Sequence, residues 1–318
     1  MSILGITGVE KDTRYEGFLL VRHSEQRAAS NGSRYLDMTL GDCTGEVNAK
    51  LWDGAVPPPP IGTIIKVRGL MQEYNGRMQY RVEKMRQAEP EDNVDIAQLT
   101  LSAPEAPQVM MERVNSAIDA MRNTDIQKLC REMIRVAGDA LLYYPAAQKL
   151  HHAERAGLLH HVTGMLALCD AVLPVYPFLN ADLLRAGVIL HDLSKITEMR
   201  SDIYGAVSDY TAEGLLVGHL VRGVARLSRA AEAVGVSGEI VLLLEHMIIS
   251  HHSEPEYGSP RRPMFAEAEM LHWLDIADAR MNEINGIEAR TPGGAFSEKI
   301  WSLDRRIYHP AIDAEEHD

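Results

Sequence analysis

The sequence predicts a small all-β domain followed by a larger all-α domain. Apolar and polar residues alternate from Tyr15 to about Met85, whereas from Val109 onward apolar residues recur every three or four positions. An acidic stretch with three prolines separates the two patterns, and 318 residues exceed the usual size of a single core. The predicted parts are an N-terminal domain over 1–89, a linker over 90–108 and a C-terminal domain over 109–318.

The N-terminal pattern contains about five strand-like segments separated by turns. Asn75-Gly76 is typical of a tight hairpin, because both residues tolerate the positive φ angles that such turns require. Five short strands in some seventy residues fit an OB-fold-like β-barrel. A small barrel of this kind fills its interior with alternate side chains, so about half of its aromatic residues are expected in the core.

The C-terminal pattern predicts only helices. Proline and glycine interrupt the apolar periodicity and mark where each helix ends. The predicted helices cover 109–121, 124–143, 158–173, 181–191, 211–234, 237–250 and 264–285.

Charge distribution bears on the class of partner. The formal net charge of −13 argues against a phosphate-rich partner, because like charges repel. Residues 13–89, however, hold eleven Lys/Arg against nine Asp/Glu, a balance of +2 that leaves −15 for the rest. The predicted barrel is therefore the one mildly basic region, and metal ions could offset the negative charge locally elsewhere.

Cysteine usage and hydropathy predict a cytoplasmic location without a membrane span. Cys43, Cys130 and Cys169 are odd in number and form no CxxC pair, which argues against a disulfide framework or a cysteine zinc site. The most apolar run, IVLLLEHMII, is interrupted by Glu245 and His246, and is shorter than the roughly 18 residues of a membrane span.

Histidines and aspartates recur at the predicted helices in the order H…HD…H…HH…D. The segments AGLLHHVTGML, GVILHDLSK, GHLVRG, IISHH and LDIADAR supply them. Imidazole and carboxylate ligands suit manganese, iron, cobalt, nickel or zinc. The residues that form this pattern are His161, His191, Asp192, His219, His251, His252 and Asp278.

Each of these residues also has a purely structural interpretation. A single histidine on an apolar helix is more often a hydrogen-bonded core residue than a ligand, and an isolated His-Asp pair is uninformative. Asp275 and Asp278 lie three residues apart and would also fit a solvated helix face. The ordered combination on successive helices is what favours a metal site.

This ordered combination resembles the HD superfamily of metal-dependent phosphohydrolases. The segments YPAAQKLHHAERAGLLHHVTGML, LLRAGVILHDLSKITE and HMIISHHSEPEYGSP are similar to those of the YhaM-type 3'-to-5' exoribonucleases, also described as a CMP-binding-factor family. Members of that family carry an N-terminal OB-type domain before an all-α HD domain. The resemblance therefore implies hydrolysis of single-stranded RNA, or of single-stranded DNA, to nucleoside 5'-monophosphates.

The resemblance also implies roles for individual residues. His161, His191, Asp192 and Asp278 would hold one divalent ion, and His219, His251 and His252 a second. Manganese is the first expectation, with cobalt, iron, nickel, zinc or magnesium as alternatives. The implied catalytic residues are Asp192, Lys195 and His219. The sequence departs from the family at His160, where relatives usually carry another residue, so His160 is either a spare ligand or an ordinary helix residue.

Substrate contacts are predicted in both domains. Trp52 and Tyr74 lie beside turns and are candidate platforms for stacking bases, and Arg68 and Arg77 are candidates for phosphates. In the helical domain, the predicted substrate contacts are Lys195, His151, His152 and Asp275. Single-stranded nucleic acid is the expected partner, and the resemblance is compatible with a homo-oligomer.

Two other classes of function remain open at this point. The first is an HD phosphohydrolase that acts on free or cyclic nucleotides, since HHSEPEYGSP partly matches the pattern of cyclic-dinucleotide phosphodiesterases. The second is a non-catalytic single-strand binder whose helical domain is stabilised by metal.

Overall fold

The computed structural model describes residues 5–29, 32–148 and 150–312, and the chain forms two compact units. The first unit comprises the residues up to Ser102 together with Asp202–Ala206, and the second comprises Ala103–Ser201 and the residues from Val207. The stretch predicted as a linker contains two 3₁₀ turns, Pro90–Asp92 and Ile96–Gln98, and the start of the first α-helix.

The first unit is a closed barrel of five strands. In barrel order, β1 pairs with β2, β2 with β3, β3 with β5, β5 with β4, and β4 with β1. Only the β3–β5 pair is parallel. This arrangement confirms the predicted OB-fold-like barrel. The strands are β1 (Arg14–Ala28), β2 (Arg34–Asp42), β3 (Gly45–Leu51), β4 (Ile64–Tyr74) and β5 (Arg77–Gln87).

Alternate side chains fill the barrel, as the sequence predicted. Tyr80 is fully buried, and its hydroxyl donates to the carbonyl oxygen of Tyr15 at 2.8 Å, which satisfies the one polar atom of the ring. Asn75 and Gly76 join β4 to β5 with φ angles of 52° and 74°, as expected for a tight hairpin.

The second unit is helical, and its described residues form nine α-helices. Most lie within a few residues of the predicted ranges. They are α1 (Pro107–Asp119), α2 (Thr124–Ala137), α3 (Gly157–Val172), α4 (Ala181–Leu190), α5 (Lys195–Glu198), α6 (Ala212–Leu216), α7 (Gly218–Val234), α8 (Glu239–Ser250) and α9 (Ala266–Glu288). Two short hairpins complete the unit: β6 (Met199–Ser201) with β7 (Val207–Tyr210), and β8 (Ala295–Phe296) with β9 (Tyr308–His309).

The prediction of one helix over 211–234 was wrong. The chain breaks between α6 and α7, where Gly218 has a φ of +73° that a continuous right-handed helix does not allow. The predicted helix over 124–143 also ends early, since Gly138 has a φ of +61° and a 3₁₀ segment, Gly138–Leu142, follows.

α4 and α8 approach each other closely at Gly187. A Cβ on Gly187 would lie 2.1 Å from the Cε of Met247 on α8, so only glycine fits without a shift. This contact belongs to an apolar core that α1, α2, α3, α4, α7, α8 and α9 share. Among the described residues, no helix combines the length and apolar character needed to cross a bilayer.

Candidate metal centre and nucleic-acid interface

Five helices of the second unit bring the predicted ligands to one buried region. His161 lies on α3 and His219 on α7, while His191 and His251 are the residues directly after α4 and α8. Asp192 and His252 follow directly, and Asp275 and Asp278 lie on α9. Two successive residues at a helix end can direct their side chains to one place, because the chain leaves the helical path there.

One group of ligand atoms surrounds the Oδ2 atom of Asp192. The Nε2 atoms of His161 and His191 lie 3.3 Å apart, and Asp192 Oδ2 lies 3.4 Å from His191 Nε2 and 4.0 Å from His161 Nε2. All three side chains are buried. These spacings suit donor atoms that share one cation.

A second group of ligand atoms surrounds the Oδ1 atom of the same carboxylate. Asp192 Oδ1 lies 3.4 Å from His219 Nε2 and 3.6 Å from His251 Nε2. His219, His251 and His252 also offer nitrogen atoms within 4.8 Å of one another. The two oxygens of Asp192 therefore face two different groups of imidazoles.

Backbone carbonyls fix the orientation of two of these rings. His191 Nδ1 lies 2.9 Å from the carbonyl oxygen of Val188, and His251 Nδ1 lies 2.8 Å from that of Ile248. A carbonyl can only accept, so each Nδ1 carries the proton and each Nε2 presents a lone pair. Second-sphere contacts of this kind are typical of histidines that bind metal.

Unpaired buried atoms provide a test of whether this region fits cations. Asp192 Oδ1, His219 Nε2 and His251 Nε2 are buried and have no hydrogen-bond partner. Buried acceptors without donors are costly, and a divalent ion would satisfy all three together. The donor set of imidazoles and carboxylates fits such an ion.

The two aspartates of α9 occupy different positions. Asp278 Oδ2 lies 2.7 Å from His161 Nδ1 and 2.7 Å from His152 Nε2, so it accepts from two rings. Asp275 Oδ1 instead lies 3.3 Å from His161 Nε2, and Asp275 groups with His191 and His251 as a potential ligand set. Asp275 therefore faces the lone pairs, whereas Asp278 lies behind His161.

Burial and charge act in opposite directions on the ionisable groups. Burial raises the pKa of Asp192, but the charge of Lys195 and the interaction with His191 outweigh it and hold that pKa well below its usual range. Burial lowers the pKa of His161, yet hydrogen bonds to Asp275 and Asp278 raise it to about 9. Asp192 is thus charged at neutral pH, as a carboxylate ligand must be, whereas His161 would have to release a proton to bind an ion.

Two further side chains border the two groups of ligand atoms around Asp192, which we call the Asp192 groups. The Nζ of Lys195 lies 2.7 Å from Asp192 Oδ2, which places the predicted phosphate contact at the centre of the region. Glu198 Oε2 lies 2.9 Å from His219 Nδ1, and its Oε1 accepts from the His219 backbone at 3.2 Å. Glu198 was not among the residues predicted from the sequence. Its signal is the HDLSKITE segment, where it ends the short helix that Lys195 begins.

The loop before α3 holds the predicted substrate contacts His151 and His152. The His151 ring lies 5.9 Å from that of His161, between ring centroids, and burial lowers the pKa of His151 to about 3. His152 is buried and contacts Asp278, as described above. His160, whose role the sequence left open, lies 2.6 Å from Glu154 through its Nδ1.

The barrel presents an aromatic surface formed by Tyr35, Trp52 and Tyr74, with Lys50 between them. Trp52 and Tyr74 are 53% and 59% exposed. Trp52 stacks on Tyr35 with ring centroids 4.6 Å apart, and the Lys50 Nζ lies 5.1 Å from the Tyr35 centroid and 5.9 Å from that of Tyr74. This combination of flat rings and a cation is typical of single-strand binding surfaces.

The predicted phosphate contacts of the barrel are both exposed. Arg77 lines a cleft of about 710 Å³ together with Asn48, Tyr74 and Gln79. Arg68 lies on β4, in register with Glu16 of β1. The structure therefore brings Arg77 to the aromatic surface, and places Arg68 at a separate position on the barrel.

The fold and the site together define the class of this protein. It is a hydrolase in which an OB-fold barrel precedes a helical HD-type domain. No family model matches the chain. It is 39% identical over 311 residues to the 3'-5' exoribonuclease YhaM of Geobacillus sp. strain WCH70. This alignment covers 97% of this chain and 95% of that protein. The chain belongs to the family of the 3'-5' exoribonuclease YhaM.

A second relative gives the same result. The 3'-5' exoribonuclease YhaM of Bacillus licheniformis is 38% identical over 311 residues, or 97% of this chain and 98% of that protein. The resemblance identified in the sequence is thereby confirmed.

Among solved structures, the second OB-fold domain of replication protein A from Methanococcus maripaludis is 16% identical over 26% of this chain and 92% of that chain, with a TM-score of 0.23.

Proposed function

We propose that this protein is a metal-dependent 3'-5' exoribonuclease that shortens single-stranded RNA to nucleoside 5'-monophosphates. Membership of the YhaM family supports the activity. The observation that carries the proposal is the position of Asp192, whose two oxygens each face a group of buried imidazoles. In this position Asp192 would serve as a ligand in both groups, for divalent ions that would stabilise charge on the phosphate.

We propose manganese as the ion, held by two sets of ligands. His161, His191, Asp192 and Asp275 would hold one ion, and Asp192, His219, His251 and His252 the other. This assignment exchanges the roles that the resemblance implied for the α9 aspartates, because Asp275 faces His161 Nε2 whereas Asp278 contacts His161 Nδ1. When bound, such a pair supplies charge stabilisation and activation of water for phosphodiester hydrolysis.

The surrounding residues position the ligands and the scissile phosphate. Asp278 and Glu198 contact the Nδ1 atoms of His161 and His219, which directs both Nε2 atoms towards Asp192. Lys195 carries a buried ammonium beside Asp192, and this charge is placed to stabilise negative charge on the phosphate oxygens. We infer that Asp192 and Lys195 are catalytic and that His219 contributes as a ligand.

We propose that the aromatic surface of the barrel holds the RNA strand while the helical unit hydrolyses it. Trp52 and Tyr74 would stack on bases, and Lys50 and Arg77 would pair with phosphates. A track of this kind suits repeated removal of nucleotides from one end. Lys195, His151, His152 and Asp275 were predicted to contact substrate in the helical unit, and of these we propose only Lys195 and His151 as substrate contacts.

The proposal is tested with single-stranded RNA that is labelled at its 5' end. With Mn²⁺ we expect a ladder of labelled products that shorten from the 3' end, and with EDTA we expect intact RNA. Asp192→Asn should lower the rate by about 10³-fold or more, because it removes the charge that both cations share. Thermal unfolding of the variant provides the control for folding.

The same assay separates the alternatives. Hydrolysis of cyclic dinucleotides without shortening of RNA would support the phosphodiesterase alternative, and retention of RNA without turnover would support the single-strand binder. The relatives' activity favours neither of these. Self-association, a cytoplasmic location, activity on single-stranded DNA and manganese as the native ion stay predictions.

A further inference from the structure

A second cluster of potential ligands lies at the start of α3, behind Asp278. It consists of His152, Glu154 and His160, whose Nδ1, Oε1 and Nδ1 atoms approach one another. The two Nδ1 atoms are 3.1 Å apart, and Glu154 Oε1 lies 2.6 Å from His160 Nδ1 and 3.7 Å from His152 Nδ1. We refer to these three residues as the outer cluster.

The direction of the hydrogen bonds determines what His152 presents to the outer cluster. His152 Nε2 lies 2.7 Å from Asp278 Oδ2, and a carboxylate oxygen accepts. His152 Nε2 therefore carries the proton, and its Nδ1 presents a lone pair to Glu154 and His160. Two acceptors thus meet at one place, where a proton on one of the three side chains or a cation can satisfy them.

The protein holds His152 in this orientation at a conformational cost. His152 has a φ of +50°, a value that non-glycine residues seldom adopt. Its backbone N–H donates to Asn282 Oδ1 at 2.9 Å, and its carbonyl oxygen accepts from Ala146 at 3.1 Å. Strained residues persist where several contacts hold them, and they are enriched at functional sites.

The outer cluster combines buried ligands with access from solvent. The side chain of His152 is 2% exposed and that of Glu154 12%, whereas that of His160 is 27% exposed. Two imidazoles and one carboxylate form the donor set of open zinc sites, with the remaining position left for water. The partly exposed face of His160 provides the route of entry.

We propose that the outer cluster is a third cation site, for a zinc-like divalent ion, distinct from the Asp192 groups. Asp278 links the outer cluster to the Asp192 groups. The same Oδ2 atom of Asp278 accepts from His152 of the outer cluster and from His161 beside Asp192. The ion would hold His152 against Asp278 and so help to fix His161. This inference goes beyond the proposed function and does not depend on it.

The test is a count of bound Zn²⁺ on the full-length protein. The protein is stripped with a chelator, saturated with Zn²⁺, desalted and measured by mass spectrometry of the metal. We expect His160→Gln to hold one ion fewer than the unchanged protein. The matched control is His23→Gln, which removes a histidine that also lies beside a glutamate, Glu25 at 3.5 Å, and should leave the count unchanged.

The same count in Asp192→Asn separates this proposal from the proposed function. Adding His160→Gln to Asp192→Asn should again remove one ion, whether or not the protein hydrolyses RNA. Glu154→Gln should also lose the ion, and thermal unfolding identifies any variant that fails to fold. Equal counts with and without His160, or a loss that disappears in the Asp192→Asn background, would overturn the third site.

Discussion

Asp275 and Asp278 show how two equivalent-looking residues come to occupy different chemical positions. Both lie on α9 three residues apart, so helical periodicity places them on one face. The structure directs Asp275 towards His161 Nε2 and Asp278 towards His161 Nδ1. The sequence predicted that α9 contributes a carboxylate, but periodicity contains no information on which ring nitrogen each carboxylate meets.

We expect Asp275→Asn and Asp278→Asn to differ in metal binding. Asp275→Asn should lose one of the Mn²⁺ ions, because it removes a charged ligand. Asp278→Asn should keep the number of ions but weaken their affinity by about 10- to 100-fold, as is typical for a partner of a metal-binding histidine. Calorimetric titration with Mn²⁺ measures both values. The reverse result would return Asp278 to the ligand set.

At the scale of elements, the site depends on close packing between α3 and α9. A Cβ on Gly164 of α3 would lie 2.3 Å from Asp278 Oδ1, so the glycine makes room for the carboxylate behind His161. The sequence predicted both helices within three residues of their observed bounds. It could not reveal Gly164, because a glycine inside a helix shows no periodic signal for what packs against it.

We expect Gly164→Ala to displace Asp278 and to weaken Mn²⁺ binding by about 10-fold or more, as loss of the carboxylate would. The matched control is Gly286→Ala on α9, where no atom lies within 4 Å of the added Cβ. That change should leave metal binding unaltered and stabilise the helix by up to about 1 kcal/mol. If both variants bind Mn²⁺ like the unchanged protein, Gly164 has no positioning role.

The strands of the barrel present Trp52 and Tyr35 on one surface, and we expect this surface to bind RNA. Trp52→Ala should weaken binding of single-stranded RNA by about 5- to 150-fold, the range for loss of one base stack. The control is Trp273→Ala in the helical unit, a residue that is 57% exposed, close to the 53% of Trp52. Equal loss of affinity in the two variants, measured by fluorescence anisotropy, would argue against a specific platform.

For the whole molecule, the sequence predicted the order and type of both units more accurately than the details of the site. Alternation and helical periodicity arise from burial, so they report barrel and helices directly. The break at Gly218 and the contacts of Glu198 and Glu154 depend on tertiary packing, which no local pattern records. The family's sequence motif nevertheless identified Asp192 and its histidines, since chemistry fixes their type and order.

Buried imidazoles and carboxylates converge on Asp192, and we expect them to hold two cations. The most direct measurement is anomalous diffraction from crystals grown with Mn²⁺. We expect two peaks about 3.5–4 Å apart, one on each side of the Asp192 carboxylate, with His161 and His191 beside one and His219 and His251 beside the other. A single peak beside Asp192, or none there, would contradict this arrangement.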